Sequence, residues 1–177
     1  MLNNKETGLP AIIDSYTETL IIGTFPSEVS RNSCEYYANE ERNDFWNIFR
    51  KKYGLNLCNY KDKLNCLLEH KIGLWDMLAS CYIEGSKNKT IRYNEDEDYN
   101  HLIETIINSS INKIIINGSS KNKGTKYFFD RYVKYIKKNK NIEIPKNIEI
   151  VFLHMHAGRF YRNNRQMVIE EWLQELP

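Results

Sequence analysis

Three short runs of consecutive apolar residues, mostly β-branched, restrict the fold of this chain more than any other feature. They are Thr19–Gly23 (TLIIG), Lys113–Asn117 (KIIIN) and 148–153 (IEIVFL), and 71–75 is a weaker fourth candidate. Strands that read as unbroken apolar runs, without alternation, are typical of parallel sheets covered on both faces. The runs therefore predict a central, mostly parallel sheet of four strands.

Amphipathic helical patterns lie between these runs. The predicted helices cover 44–52, 61–69, 98–108, 123–139 and 162–176. Strands that alternate with helices indicate an α/β fold with three layers, α/β/α, and right-handed crossovers. The sequence has no internal repeat, low-complexity linker or hinge rich in Pro and Gly, so we expect one domain over residues 1–177.

The carboxyl ends of parallel strands are where ligands of such folds bind. Three loops should converge there, 24–43, 118–124 and 154–165. The first begins at Gly23 and brings a small residue, an aromatic ring, a rigid bend and a hydroxyl, followed by tyrosines and then Asn43 just before two anchoring aromatic residues. This chemistry suits the recognition of a flat polar ring. The residues are Thr24, Phe25, Pro26, Ser27, Tyr36, Tyr37, Asn43, Phe45 and Trp46.

Composition places the chain among ordinary globular proteins, with 41% hydrophobic and 27% charged residues. No apolar run approaches the roughly 20 residues that span a bilayer, and the N-terminus lacks a signal-peptide core, so we expect a cytoplasmic protein without a membrane partner. The cysteines form no C-x-x-C pair, which predicts reduced, mostly buried thiols and no metal site. They are Cys34, Cys58, Cys66 and Cys81.

Basic residues are unevenly distributed along the chain, although the net charge is only +2. Residues 121–146 contain nine Lys or Arg against two acidic residues, and the acidic residues are concentrated chiefly at 95–98. A second basic cluster consists of Arg159, Arg162 and Arg165. Such a distribution is consistent with a positive face for phosphates, or with a solvated helix face, and the sequence leaves both readings open.

Two longer blocks resemble the uracil-DNA glycosylase superfamily, and most closely its hypoxanthine (deoxyinosine) DNA glycosylase branch. The first is GTFPS followed by a Y-Y-A…N-x-F-W pattern, and the second is residues 73–92, GLWDMLASCYIEGSKNKTIR. The pair Asn117-Gly118 after the apolar strand also fits. Further matches in the second block are Trp75, Asp76, Cys81, Gly85, Ser86 and Ile91.

The third block departs from the pattern of that branch. Where its members have a small-residue loop, L-P-S-T-S-P-A, this chain has LHMHAGRF at 153–160. The position matches and the chemistry differs. If the end of the strand stays extended, His154 and His156, two residues apart, point to the same side.

The resemblance implies a monofunctional DNA glycosylase, a hydrolase that removes hypoxanthine or uracil from DNA in base excision repair without a cofactor. Its partner is DNA containing a deaminated base, and we expect a monomer. No lysine has a recognisable Schiff-base context, so no lyase step is predicted. The predicted site has Asn43 and His156 as catalytic residues, Gly23, Thr24, Phe25, Pro26, Ser27, Tyr37 and Asn117 as base-binding residues, and His154, Arg159, Arg162 and Arg165 as DNA-binding residues.

Each of these side chains also has a plainer structural reading. Asn43 fits the N-cap of the following helix, Phe25 fits a core position under the loop, and Asn117 fits the start of an Asn-Gly turn. Asp76 either positions water or caps the next segment. Two other functions therefore stay open: a catalytically silent protein that binds nucleic acid or nucleotides, and a hydrolase of free nucleosides.

Overall fold

A central sheet of four parallel strands organises the protein, as predicted. The structure is a computed structural model and describes residues 4–120 and 123–177. The strands of the central sheet are β2 (Thr19–Gly23), β3 (Ile72–Asp76), β5 (Lys113–Asn117) and β6 (Glu149–Leu153), in the order β3-β2-β5-β6. Two short strands that the sequence did not predict, β1 (Glu6–Thr7) and β4 (Ser80–Cys81), pair antiparallel outside this sheet.

Helices cover both faces of the sheet. The bounds are α1 (Glu28–Ser33), α2 (Phe45–Tyr53), α3 (Tyr60–Glu69), α4 (Leu102–Ile107), α5 (Thr125–Lys140), α6 (Gly158–Asn163) and α7 (Arg165–Glu175), with a 3-10 turn at Asn88–Thr90. The apolar cores formed by α4 and α5 on one face, and by α2, α3 and α7 on the other, are separate clusters. The predicted three-layer α/β/α fold is thus confirmed, and the extent of one domain over 1–177 stays a prediction.

Strands β2, β3 and β5 are largely buried because both of their faces are covered, whereas the edge strand β6 is mostly half-buried. All five residues of β2 are buried, and alternate side chains go to opposite cores. Ile21, Leu74 and Ile115 face the α2–α3–α7 side, whereas Leu20 and Ile22 face the α4–α5 side. Burying a side chain of this size contributes about 1.5–3 kcal/mol, which explains why these strands carry no polar alternation.

Helix boundaries differ from the prediction in two places that bear on the site. The loop predicted at 24–43 contains helix α1, whose first amide groups are capped by Ser27. The single helix predicted at 162–176 is two helices, α6 and α7, because Asn164 adopts a non-helical φ of −133° between them. Its amide group donates to the carbonyl of Phe160 and closes the end of α6.

The cysteines divide evenly between the interior and the surface. Cys66 and Cys81 are buried, while Cys34 and Cys58 are exposed, and all four are free thiols. The prediction of mostly buried thiols is therefore wrong for two of the four. Along the described ranges, no helix combines the length and apolar character that crossing a bilayer requires.

Candidate functional site

A cavity of about 460 Å³ opens at the carboxyl ends of the central strands. It lies where the topology of a parallel sheet places a ligand, and its volume falls in the range of roughly 300–1,000 Å³ typical of small-molecule sites. The structure brings all the predicted catalytic and base-binding residues to its walls and none of the predicted DNA-binding residues. The lining includes Gly23, Thr24, Phe25, Pro26, Ser27, Tyr37, Asn43, Asn117 and His156.

A row of three residues crosses the floor of this cavity. Gly23 pairs in register with Asp76 on β3, and Asn117 follows Ile116, which pairs with Ile22 on the other side of β2. Because neighbouring strands lie about 4.8 Å apart, the row consists of a carboxyl, a bare backbone and an amide, side by side on one face. A β-carbon built on Gly23 would overlap Asp76 Oδ1 and lie 3.6 Å from the Tyr37 hydroxyl. Only glycine keeps this floor open.

The amide of Asn117 holds an aromatic and an imidazole ring in place. Its Nδ2 donates to the Tyr37 hydroxyl at 3.0 Å and lies 2.9 Å from His156 Nε2. Burial lowers the pKa of His156 to about 3, so the imidazole is neutral. Since Nε2 accepts from the amide, the ring proton is on Nδ1. Asn117 Oδ1 and His156 Nδ1 are buried and have no hydrogen-bond partner within the described parts of the chain.

Asp76, for which the sequence left open a role in positioning water or in capping, lines the cavity. It is 4% exposed, and burial raises the pKa of its carboxyl to about 7. Its Oδ2 has no hydrogen-bond partner among residues 4–120 and 123–177. The signal was present in the sequence as an aspartate that ends one parallel strand beside a glycine that ends the next. Only the register makes the two residues neighbours.

Asn43 makes local hydrogen bonds and also lies at the cavity. Its Nδ2 donates to the carbonyl of Asn39 at 2.5 Å, and its Oδ1 accepts from the amide of Phe45 at 3.3 Å. The side chain thus stabilises the entry into α2, although Asp44 occupies the cap position itself. Asn43 also forms a backbone bridge with Ala157, and both line the cavity. Asn43 is therefore not the N-cap that the sequence suggested, but its side chain supports the start of α2 and also lines the cavity.

Tyr37 is held in a backbone conformation that aromatic residues rarely adopt. Its φ is +55°, in the left-handed region, where a bulky residue carries strain of about 1–3 kcal/mol. The ring stacks on Phe45 with centroids 3.7 Å apart and meets His156 edge-on at 5.2 Å. This packing and the hydrogen bond from Asn117 together fix the hydroxyl above Gly23.

The loop after β2 forms the opposite wall of the cavity. Phe25 is 8% exposed and packs into the α4–α5 core, and the Arg31 guanidinium lies 5.4 Å from its ring centroid. Thr24 shares a hydrogen bond of 2.9 Å with the hydroxyl of Thr125. The Ser27 hydroxyl accepts from the amide of Ser30 at 3.2 Å, so it caps α1. Phe25 is therefore both a core residue and a wall of the cavity.

Similar proteins identify the family. No family model matches the chain. A protein of Methanosarcina barkeri named hypoxanthine DNA glycosylase is 34% identical over 116 residues, which is 64% of this chain and 72% of the relative. The chain belongs to the hypoxanthine DNA glycosylase family. A protein of Methanosarcina acetivorans with the same name is 39% identical over 101 residues, 56% of this chain and 63%, slightly under two thirds, of that protein.

A solved structure agrees with this assignment. The solution NMR structure of a candidate uracil DNA glycosylase from Methanosarcina acetivorans superposes with a TM-score of 0.72 at 27% identity, covering 98% of this chain and 97% of that one. The resemblance predicted from the sequence blocks, to the uracil-DNA glycosylase superfamily and its hypoxanthine branch, is therefore confirmed.

The third loop, where this member of the hypoxanthine DNA glycosylase family departs from the pattern, gives its two histidines different surroundings. His156 is 2% exposed in the cavity. His154 lies outside it, with Nδ1 3.1 Å from Glu171 Oε2 and its ring stacked on Phe160 at 4.7 Å. The prediction that both side chains point to the same side is wrong. Strand β6 ends at Leu153, so the alternation of side chains along a strand does not extend to the two histidines.

The predicted DNA-binding arginines fall into two groups. Arg159 and Arg162 are exposed on α6, which begins directly after Ala157 at the cavity. Arg165 is instead paired with Asp44, with Nη2 2.7 Å from Oδ2, and contacts the Tyr161 hydroxyl. Although burial opposes the shift, hydrogen bonds from Arg165 and Tyr161 lower the pKa of Asp44. Arg165 therefore joins α7 to the start of α2.

Two exposed residues beside the cavity were not predicted. Phe160 on α6 is 50% exposed, and Arg42 is an exposed residue of the cavity lining. A large exposed aromatic side chain between two arginines is a recurrent feature of nucleic-acid surfaces. The motif R-F-Y-R at 159–162 could have indicated this surface in the sequence. The helix predicted at 162–176 divided the motif, so its residues were not considered together.

Much of the basic run at 121–146 is neutralised locally. Lys126 pairs with Asp130 at 3.1 Å, Lys137 with Glu143 at 2.7 Å, Lys140 with Glu104 at 2.8 Å, and Arg131 with Glu95. Lys121 lies outside the described residues. These pairs favour the reading of α5 as a solvated helix face. Across the described ranges, no cluster of three or more His, Cys, Asp or Glu residues is arranged to hold a metal ion.

Proposed function

We propose that this protein is a monofunctional DNA glycosylase that hydrolyses the N-glycosidic bond of a deaminated base, hypoxanthine or uracil, in DNA. The observation that carries the proposal is the cavity over Gly23, with an aromatic wall and a floor of buried polar atoms that have no partner in the described parts of the chain. Relatives of the same family are named for hypoxanthine DNA glycosylase activity. The reaction belongs to base excision repair.

The cavity suits a base that has left the helical stack. A flipped nucleotide exposes its ring edge and one face to the enzyme. Phe25 is placed to stack on that face, a contact worth roughly 1–3 kcal/mol per base. Asn117 Oδ1 would accept a ring N–H, and the Nδ1 proton of His156 would be donated to an acceptor of the base. A neutral donor held in a buried site stabilises negative charge on a departing base.

Asn43 retains hydrogen-bonding capacity for the reaction. Its two local bonds use one amide hydrogen and one lone pair, so one N–H and one lone pair remain. Their position on the cavity wall next to Ala157 suits the orientation of the base or of the attacking water. We propose hydrolysis by water without a lyase step.

DNA would lie across the mouth of the cavity on the side of α6. Arg159 and Arg162 would contact phosphates, with Arg42 on the facing wall, and Phe160 would contact the bases next to the vacated position. His154 would support this surface through its stacking on Phe160. The protein would act as a monomer in the cytoplasm and require no cofactor.

Excision assays on defined duplexes test the proposal. Oligonucleotides carrying deoxyinosine, deoxyuridine or deoxyxanthosine are incubated with excess protein and cleaved with alkali at abasic sites. We expect cleavage of at least one of them, and a loss of about 10²-fold or more for Asn43→Ala. If no strand is cleaved while the DNA is bound, the proposal is wrong. If Asn43→Ala retains full excision, only the role of Asn43 is wrong.

A catalytically silent binding protein on the same fold is the second candidate. The observation that favours it is that the Asn43 side chain bonds to Asn39 and Phe45, because these bonds give it a structural role even without catalysis. Binding without excision in the assay above would establish this alternative. Cleavage of free deoxyinosine without DNA, with little dependence on salt, would instead indicate a nucleoside hydrolase.

A further inference from the structure

Asp76 is a buried carboxyl on the cavity floor that the reaction described above does not use. It is 4% exposed, and its Oδ2 has no partner within residues 4–120 and 123–177. An unpaired buried polar atom costs about 1–3 kcal/mol, so native proteins rarely keep one without a reason. For a carboxyl in the wall of a cavity, binding of a ligand is such a reason.

The two oxygens of this carboxyl have different surroundings. Oδ1 packs against Gly23, in the space where any β-carbon would overlap it. Oδ1 is therefore the oxygen next to a molecule seated over Gly23, whereas Oδ2 is buried and has no partner in the described ranges. The floor row places Asp76 on one side of Gly23 and Asn117 on the other, so a base seated over the glycine has both groups at its edge.

The surroundings of Asp76 favour its protonated form. The titratable groups that face it are Tyr36 and Tyr37 from the segment after α1 and Cys81 from β4, and burial raises the pKa of each. All three are therefore neutral at pH 7. Burial is also what raises the pKa of Asp76 to about 7. A bound base would displace water and favour the neutral acid further.

We propose that Asp76 is a further catalytic residue, which donates its carboxyl proton to the carbonyl oxygen of the departing base. The proposal rests on the proposed glycosylase function and adds a general acid to it. Deamination replaces an amino group, a hydrogen-bond donor, by a carbonyl, an acceptor. A donor at this point would therefore serve the reaction and also disfavour the undamaged amino base.

Water is the one reactant that this step needs besides the substrate and Asp76. As the bond between C1′ and the ring nitrogen breaks, its electron pair goes to the base. The proton of Asp76 moves to the carbonyl oxygen, and the base leaves as a neutral enol tautomer that returns to the keto form. Water adds to C1′, and the proton it loses returns to the Asp76 carboxylate through solvent. The neutral acid is restored in each turnover.

Single-turnover excision across a pH range tests this role. The substrate is a duplex with one deoxyinosine, and the proteins are wild type, Asp76→Asn and, as a matched control, Asp130→Asn on the exposed side of α5. We expect the wild-type rate constant to fall about tenfold per pH unit above the pKa of the acid in the complex, which is at or above about pH 7. Asp76→Asn should be about 100-fold slower at pH 6 and independent of pH, since an amide cannot transfer a proton. Asp130→Asn should match the wild type.

Binding separates a catalytic role from a structural one. Duplexes with 2′-fluoroarabino-inosine, whose glycosidic bond resists cleavage, should bind Asp76→Asn within about threefold of wild type, because the amide still donates to the carbonyl. A flat wild-type pH profile, or excision by Asp76→Asn within threefold of wild type, would overturn the role of Asp76 while leaving the glycosylase function intact. If the variant does not fold, the wild-type profile decides. If the wild type excises no deaminated base, both proposals fail.

Discussion

Gly23 and Asp76 end two neighbouring parallel strands in exact register, and the carboxyl of Asp76 occupies the space that a side chain on Gly23 would need. A glycine is needed at this position because Asp76 fills the space of a side chain, and not because of its own backbone, since its φ is not in the left-handed region. The pair forms the floor of the site and leads to the first two predictions.

Gly23→Ala should destabilise the protein and impair excision together. The added methyl group overlaps Asp76 Oδ1, and overpacking of this kind costs about 1–3 kcal/mol. We expect a lower urea midpoint and a fall in excision of at least about tenfold. The double variant Gly23→Ala/Asp76→Ala should recover much of the stability, because the overlapping carboxyl is gone, but not the excision. If the single and the double variant are equally stable, residues other than Asp76 move to make room for the added methyl group.

Asp76→Asn should stabilise the protein increasingly as pH rises. The folded pKa is about 7 against an ordinary value of 3.8, so ionisation is disfavoured in the folded state. Wild-type stability is complete below the ordinary pKa and declines as pH rises through the folded pKa. The shift corresponds to on the order of 4 kcal/mol at 1.36 kcal/mol per pKa unit.

Urea unfolding of both proteins at about pH 4.5 and pH 8 measures this difference, because the other titrating groups are common to both. Asp130→Asn, whose carboxyl is half-exposed in a pair with Lys126, serves as the control and should show little dependence. A difference between wild type and Asp76→Asn that is the same at both pH values would contradict the raised pKa.

Tyr37→Phe should weaken excision while preserving the stack on Phe45. The variant removes the hydroxyl that accepts from Asn117, so the amide that positions His156 loses one partner. Loss of such a bond costs about 1 kcal/mol, and we expect excision to slow about fivefold to tenfold. Tyr135→Phe, which removes an exposed hydroxyl bound to Asp96, is the matched control. An unchanged rate would mean that the Asn117–His156 contact needs no support from Tyr37.

Arg159→Ala/Arg162→Ala should reduce DNA affinity without changing stability. If both guanidinium groups contact phosphates, the slope of log affinity against log salt should become shallower by about 1–2. Fluorescence anisotropy with an inosine duplex at several salt concentrations measures the slope. Arg165→Ala should do the reverse, with an unchanged slope and a loss of up to about 1 kcal/mol of stability, because its partner is Asp44. If Arg165→Ala changes the salt slope more than the double variant does, the assignment of Arg159 and Arg162, and not Arg165, to DNA contacts is wrong.

The strands and the family could be predicted from the sequence because their signals are local. Unbroken apolar runs place the strands of the sheet to within a residue, since only a covered parallel strand tolerates such runs. The motif blocks also placed Phe25, Asn43 and Asn117 at the site. The predicted helix at 162–176 failed at Asn164, where side-chain bonds to the preceding turn outweigh helix propensity.

The sequence by itself determined the α/β/α fold, the family and the edge of the sheet where a ligand binds. Only the tertiary structure decided which polar side chains face that ligand. Strand register placed Asp76 beside Gly23 at the floor, the end of β6 separated His156 from His154, and an ion pair with Asp44 withdrew Arg165 from the candidate DNA surface. Such contacts join residues far apart in the chain, and their burial, which sets the protonation of Asp76 and His156, exists only once the layers have packed.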